Sequence, residues 1–218
     1  MTSSGPATGI GGVAVVFVVD DDESVREGLK LLIASAGWEA RTCASAHDFL
    51  ELPRTRTPSC LVLDVAMPGL DGLELQQRLV VERPDMPIIF ITGQEDVART
   101  VRAMKAGAVE FLVKPVSGAV LLGAIESALQ RSRTALENEI QLEELRARYA
   151  SLSTREREVM ALVVSGLLNK QVGGELGISE ITVKAHRGSV MRKMAADSLP
   201  ELVMISARLG IGGVRRRR

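Results

Sequence analysis

The chain has 218 residues, 46% of them hydrophobic, which is enough for one large or two modest globular domains. Its short apolar runs exclude a membrane span, and its six aromatic residues are too few for a protein that stacks single-stranded bases. The net charge of zero conceals an asymmetry, with −5 over residues 1–119, −1 over residues 120–150 and +6 over residues 151–218, so the last part suits a polyanion.

The N-terminus and the two cysteines indicate a cytoplasmic protein. The stretch MTSSGPATGIGG lacks the basic and apolar segments of a signal peptide, so we expect a flexible leader over residues 1–12 and no membrane partner. Cys43 and Cys60 lie in predicted strands without the spacing of a metal site or a disulfide framework. We therefore expect two reduced, packed thiols.

Short apolar runs alternate with amphipathic segments in the first half of the chain, which is typical of alternating strands and helices. The predicted strands are residues 13–19, 38–43, 60–63, 88–91 and 111–113, and the main predicted helices are residues 23–36, 73–81 and 97–106, with a short one through residue 50. Five βα units in this length predict an α/β doubly wound, five-stranded parallel sheet with right-handed crossovers.

A long helix is predicted over residues 117–149, because no proline interrupts it and leucine and isoleucine keep a rough helical period. We expect it to complete a first domain over residues 13–130 and to continue as a helical linker over residues 131–150. A dimer seam along this helix is an alternative, although Ser132 and Glu143 interrupt the heptad pattern.

Four more helices are predicted to form an all-α domain over residues 151–212, followed by a basic tail over residues 213–218. Ser153 and Glu156 have the spacing of a capping box at the start of the first. Two short helices joined at Gly177 predict a helix-turn-helix. The four helices are expected at residues 153–166, 169–176, 179–194 and 198–209.

Polar residues follow four of the predicted strands: Asp20 with Asp21, then Asp64, Thr92 and Lys114. The carboxyl ends of parallel strands meet at one rim of the sheet, where ligands bind. Carboxylates are preferred ligands of Mg²⁺, and a carboxylate can itself accept a phosphoryl group. The rim is therefore equipped for a divalent cation and a phosphoryl group, although the acids at the end of the first strand would also serve as helix caps.

The blocks VVDDDESVR, LVLDVAMPGLDG, FITG and AVEFLVKP resemble the receiver domain of bacterial two-component response regulators. The resemblance implies that Asp64 accepts a phosphoryl group from a sensor histidine kinase, with Mg²⁺ as cofactor. It further implies that the metal is held by Asp20, Asp21, Asp64 and the carbonyl of Ala66, and that the phosphoryl group is contacted by Thr92 and Lys114. Thr92 and Phe111 are then expected to act as a switch, and a cis bond is expected before Pro115. Ala66 and Gln94 occupy positions that tune hydrolysis of the phosphorylated aspartate in this family.

The string LSTREREVMALVVSGLLNKQVGGELGISEITVKAHRGSVMRKM resembles the LuxR-type helix-turn-helix of the FixJ/NarL regulator family, which implies double-stranded DNA as a partner. Helical spacing places Lys184, Arg187 and Met191 on a face suited to the major groove. The opposite face, suited to a core, holds Val183, Val190 and Met194, and the candidates for phosphate contacts are Lys170, Thr182, His186, Arg192 and Lys193.

Glycines mark two departures from the pattern of that family. Gly188 stands where many relatives have a longer groove-facing side chain, so one base contact is expected to be missing. Gly173 and Gly174 lie inside a predicted helix, where each is expected to cost about 1 kcal/mol relative to alanine.

These resemblances imply a phosphorylation-activated, DNA-binding transcriptional regulator and not an enzyme. Phosphorylation is expected to shift a monomer–dimer balance, with a homodimer as the active form and RNA polymerase as a further candidate partner. One alternative is a DNA-binding regulator whose receiver acts as an interaction module without phosphorylation. Two others are an aspartyl-phosphate hydrolase, which would have a second aspartate at Ala66, and a sigma-factor-like promoter reader, which would have a companion segment before LSTREREV.

Overall fold

The structure is a computed structural model that describes residues 12–93 and 107–211. The predicted helix at residues 97–106, the tuning position Gln94, most of the leader and the basic tail lie outside the described residues. The chain divides into two compact units, with the division between Glu137 and Asn138.

The first unit contains a five-stranded, all-parallel sheet in the order β2-β1-β3-β4-β5, which confirms the predicted fold class. Every strand lies close to its predicted position, with differences of one or two residues at the ends. The strands are β1 (Val15–Val19), β2 (Glu39–Cys43), β3 (Ser59–Asp64), β4 (Ile88–Thr92) and β5 (Glu110–Val113).

The three central strands are buried on both faces, which is why their sequences are continuous apolar runs without alternation. Phe17, Leu63 and Phe90 belong to a core on one face of the sheet. Val18 and Val62 belong to a second core on the opposite face. Successive side chains of a strand point to opposite faces, so each strand contributes to both cores.

Three helices of this unit begin at side-chain caps. Asp22 accepts hydrogen bonds from the backbone N–H groups of Ser24 and Val25, and Ser45 caps the short second helix. Asp71 and Glu74 form a capping box at the start of the third. The helices are α1 (Glu23–Ser35), α2 (Ala46–Glu51) and α3 (Gly72–Glu82).

A helix of 33 residues, α4 (Gly118–Ala150), confirms the predicted long helix. Ser132, which interrupts the heptad pattern, is fully buried, and its hydroxyl accepts a hydrogen bond of 3.0 Å from the backbone N–H of Ser59 at the start of β3. A polar residue in this position therefore satisfies a buried strand end. None of the described helices is both long and apolar enough to cross a membrane.

The second unit contains the last turns of α4 and four shorter helices, which match the predicted all-α domain. Two small cores hold them together. Met160, Val190 and Met194 lie in one, and Val172 and Val183 lie in the other. The helices are α5 (Thr154–Val164), α6 (Asn169–Leu176), α7 (Glu180–Met194) and α8 (Leu199–Arg208).

The two adjacent glycines of α6, each expected to cost stability, differ in their surroundings. A Cβ atom at Gly173 would lie 2.7 Å from the carbonyl oxygen of Ile178, whereas one at Gly174 would meet nothing within 4 Å. The backbone N–H of Ile178 also donates to the carbonyl of Gly173 at 3.0 Å. The prediction did not include this contact at Gly173, where the turn after α6 packs directly onto the backbone.

Candidate functional site

Three carboxylates converge at the carboxyl ends of β1 and β3, where the sequence predicts a rim site. Oxygen atoms of Asp20, Asp21 and Asp64 all lie within 4.8 Å of one another. Asp20 and Asp64 are buried, and Asp21 is exposed. This pocket lies between β1 and β3, the point at which the strand order reverses direction, and ligands of such sheets bind there.

Lys114 at the end of β5 supplies the positive charge of the pocket. Its ammonium group lies 3.0 Å from Oδ2 of Asp20 and 3.1 Å from Oδ2 of Asp64. Burial lowers the pKa of Lys114, but the hydrogen bonds and charges of the two aspartates outweigh burial, so its pKa is raised above the ordinary value. Lys114 thus remains charged and partly offsets the repulsion between the carboxylates.

The backbone around Asp64 is held by a close approach of α3. The first residue of that helix is Gly72, and a Cβ atom there would lie 2.5 Å from the carbonyl oxygen of Asp64. The N–H of Gly72 donates to the carbonyl of Val65 at 3.2 Å. Glycine is therefore required at this position for α3 to support the loop that carries the carboxylate of Asp64.

The other residues predicted for the receiver site are Thr92, Phe111, Ala66 and Pro115. Thr92 is buried at the end of β4, and its carbonyl accepts a 2.7 Å hydrogen bond from the N–H of Lys114. Phe111 is half-buried, with its ring centre 6.0 Å from that of Phe90. Ala66 is exposed, two residues beyond Asp64, and the Lys114–Pro115 bond is cis, as the resemblance implies.

Sequence reasoning missed Arg26, which lies on α1 beside the pocket. One nitrogen of its guanidinium donates to the carbonyl oxygens of Asp20 at 2.9 Å and Asp21 at 3.0 Å. The only signal in the sequence is its position in the first helical turns after the acidic cluster, which is also typical of an ordinary surface arginine.

The predicted recognition helix, α7, is oriented by its apolar side. Val183, Val190 and Met194 are buried, as the helical spacing predicts. Of the three residues predicted for the groove face, Lys184 is exposed, whereas Arg187 and Met191 are half-buried. Met191 packs against the core of the second unit.

The other predicted DNA-contacting residues have diverse surroundings. Lys170 and Arg192 are exposed, and Thr182 and His186 are half-buried. The hydroxyl of Thr182 lies 2.8 Å from that of Ser179, which caps α7. Arg187 donates to the side chain of Asn169 at the start of α6. Its guanidinium therefore connects the two helices of the helix-turn-helix.

Lys193, predicted to contact phosphate, forms an ion pair with a buried acid. Its ammonium lies 2.7 Å from Oε2 of Glu156, and the Ser189 hydroxyl donates to Oε1 at 2.6 Å. The Ser153 N–H donates to the same carboxylate, which confirms the predicted capping box. Together these contacts, led by Lys193, lower the pKa of Glu156 to about 2.

The outward face of α7 contains a residue that the sequence analysis did not select. Ile181 is 80% exposed in the first turn of the helix. It begins an exposed helical stripe of spacing three and four, which shares only Lys184 with the three residues predicted for the groove face. The stripe comprises Ile181, Lys184, Ala185, Gly188 and Arg192.

Comparison with protein families identifies both units. Residues 16–126 match the response regulator receiver domain, and residues 150–206 match the bacterial regulatory proteins of the LuxR family. The chain therefore belongs to the two-component response regulators that have a receiver and a LuxR-type DNA-binding domain, and it is a transcriptional regulator. A receiver domain implies a sensor kinase as partner, and a LuxR-type domain implies DNA binding.

Particular relatives are similar over nearly their whole length. Nodulation protein W of Bradyrhizobium diazoefficiens is 48% identical over 91% of this chain and 87% of its own. The solved structure of the response regulator StyR is 50% identical, covers 90% of this chain and 100% of its own, and has a TM-score of 0.76. Full-length FixJ from B. japonicum is 42% identical, with coverage of 90% and 97% and a TM-score of 0.53.

Proposed function

We propose that Asp64 is the phosphoacceptor of this regulator. The observation that supports it most is the pairing of a buried carboxylate at the end of β3 with the ammonium of Lys114 at 3.1 Å. An oxygen of Asp64 would attack the phosphorus of a phosphohistidine, form an acyl phosphate and displace the imidazole. Lys114 would stabilise the negative charge of the transferred oxygens in the position it now occupies.

Mg²⁺ fits the donor set of this pocket. Three carboxylate oxygens lie within 4.8 Å of one another, and carboxylate oxygens are the hard donors that Mg²⁺ prefers. Asp20, Asp21, Asp64 and the carbonyl of Ala66 would hold the ion, which supplies positive charge for the transferred phosphoryl oxygens. The ion would offset the charge of the carboxylates together with Lys114, which pairs with Asp20 and Asp64.

Phosphorylation would act through Thr92 and Phe111. A phosphoryl group on Asp64 would add negative charge beside the buried end of β4, and its oxygens would offer the hydroxyl of Thr92 a charged acceptor. The movement of Thr92 would leave space for Phe111, which already contacts Phe90 from a half-buried position. A repacked face near β5 and the start of α4 would then favour a homodimer.

The second unit would bind double-stranded DNA through the outward stripe of α7. Lys184 and Arg192 would contact bases or phosphates, and Lys170, Thr182 and His186 would position the helix on the backbone. We place this activity in the cytoplasm, where the chromosome and RNA polymerase, a further proposed partner, are found. Two copies on adjacent half-sites would bind more tightly than one.

The acceptor assignment is tested by incubation of the protein with Mg²⁺ and acetyl phosphate, followed by intact-mass measurement. The wild-type protein should gain one phosphate that hydroxylamine removes, and Asp64→Asn should gain none. Asp71→Asn is the matched control, because Asp71 caps α3 seven residues away and asparagine also caps helices. Phosphate retained by Asp64→Asn would refute the assignment and favour a receiver that works without this acceptor.

A further inference from the structure

We propose that Arg26 is a positioning residue that orients two of the three carboxylates for Mg²⁺, an inference that rests on the proposed metal site. Arg26 lies on α1, half-buried beside the exit of β1. One guanidinium nitrogen donates to two consecutive carbonyl oxygens, those of Asp20 at 2.9 Å and Asp21 at 3.0 Å.

Arg26 contacts the backbone of Asp20 and Asp21 and not their carboxylates. Within the part of the chain that the structure describes, the guanidinium of Arg26 makes no ion pair with a carboxylate. Two clamped carbonyls define two successive peptide planes, because each peptide group is planar. The Cα atom of Asp21 lies between these planes, so Arg26 sets the direction in which the Asp21 side chain leaves the backbone.

The second clamped plane also controls Asp20. The carbonyl of Asp21 and the N–H of Asp22 belong to the same peptide group, and that N–H donates to Oδ1 of Asp20 at 2.9 Å. Oδ2 of Asp20 is held by Lys114 at 3.0 Å. A guanidinium bound to the Asp21 carbonyl thus orients the N–H that holds one oxygen of Asp20.

Such a clamp would matter because the carboxylates repel one another. Without the clamp, the backbone of residues 20–22 can rotate so that the carboxylates move apart. Mg²⁺ binding is then weaker, because part of its free energy is used to reorder the turn. With it, the oxygens are already grouped before the metal arrives. Arg26 therefore promotes metal binding through geometry, although its positive charge alone would oppose a divalent cation.

Geometry and charge predict opposite effects of Arg26 on the affinity for Mg²⁺, and this difference allows a direct test. Calorimetric titration of the full chain with Mg²⁺ should give a dissociation constant about tenfold higher for Arg26→Gln, since two charge-assisted hydrogen bonds are lost. Lys30→Gln, an equal loss of charge on the exposed side of the same helix, should leave the constant unchanged. An Arg26→Gln protein that binds Mg²⁺ as tightly as the wild type, or more tightly, would overturn the inference.

Arg26→Lys decides the matter if the glutamine variant fails to fold. A compact ammonium keeps the charge but cannot reproduce the guanidinium contact with both carbonyls, so its affinity for Mg²⁺ should fall below that of the wild type. Affinity equal to the wild type would overturn the inference, because the contact with both carbonyls would then not be needed. The Mg²⁺ concentration for half-maximal phosphorylation should rise in parallel, with little change in the rate at saturating Mg²⁺.

The two proposals fail in different ways. A wild-type protein that binds Mg²⁺ but takes up no phosphate would refute the acceptor role of Asp64, and the titration would still decide the role of Arg26. Normal phosphorylation with an Mg²⁺ affinity insensitive to Arg26 would refute the clamp alone. A wild-type protein that binds no Mg²⁺ would overturn both the metal site and the clamp.

Discussion

Single residues of this protein show how a buried acid is compensated by a specific cation. Asp20 and Asp64 share Lys114, and Glu156 in the other unit has Lys193. A buried carboxylate without such a partner would be costly, because burial disfavours its charged form. The sequence predicts the first group, since its members follow parallel strands whose carboxyl ends lie at one rim of the sheet. It does not predict that Lys193 pairs with Glu156, because that contact joins residues 37 positions apart in packed helices.

The lowered pKa of Glu156, about 2, predicts acid sensitivity of the second unit. Since folding depresses this pKa, the carboxylate contributes stability above its unfolded value of 4.5, and this contribution is lost as the pH falls towards 2. Glu156→Gln should therefore be less stable than the wild type at pH 6 and should lose less stability between pH 6 and pH 3. Urea unfolding followed by the fluorescence of Tyr149, the only tyrosine, measures this, because Tyr149 packs on the core of that unit.

Glu158→Gln is the control for that comparison, because Glu158 lies two residues away in an exposed pair with Arg155. It should show the pH dependence of the wild type. Identical pH profiles for the wild type and Glu156→Gln would contradict the role given to the buried carboxylate.

At the scale of elements, local signals locate the helices and strands well. Capping by Ser153, Ser179 and Ser198 is predicted from the sequence and found in the structure, as is the continuous helix after residue 117. Contacts between elements are less visible. Nothing in the sequence around Gly173 shows that the carbonyl of Ile178 approaches its Cα, so an apparent defect of the helix is a packing requirement.

The two glycines of α6 therefore predict different responses to alanine. Gly174→Ala should stabilise the second unit by about 1 kcal/mol, because it removes the backbone entropy of glycine in open surroundings. Gly173→Ala should give a clearly smaller gain or a loss, because the turn must move to admit the methyl group. Chemical denaturation of both variants, followed by Tyr149 fluorescence, compares them. Equal gains in stability for the two variants would show that the turn moves without cost to admit the methyl group at position 173.

At the scale of the whole molecule, sheet order brings the site together. Residues as far apart in sequence as Asp20 and Lys114 meet because β1, β3, β4 and β5 are parallel and end at one rim. This gathering could be predicted, since it follows from strand direction alone. The inward orientation of Arg187 and Met191 could not, because helical spacing gives relative faces and not the rotation of α7 against its neighbours.

The proposed switch predicts that phosphorylation shifts the protein from monomer to dimer. Thr92→Ala should accept phosphate but dimerise about tenfold more weakly, since it lacks the hydroxyl that would respond to a charged acceptor. Light scattering of the phosphorylated proteins at tens of micromolar measures the balance. Thr42→Ala, a change of the same kind on edge strand β2, should dimerise normally. A phosphorylated wild-type protein that remains monomeric yet binds DNA more tightly would contradict the proposed switch.

The two cysteines have a practical consequence for studies of how the two units move. Both are buried and free, burial raises the pKa of Cys60 to about 12, and burial is also the main cause of the raised pKa of Cys43. At pH 7 only about one Cys60 thiol in 10⁵ is then ionised. Thiol-directed spin labels should therefore not react with Cys43 or Cys60 in the folded protein. A label pair at Arg78→Cys and Glu175→Cys, one exposed site in each unit, could report inter-unit distances before and after phosphorylation without removal of a native cysteine.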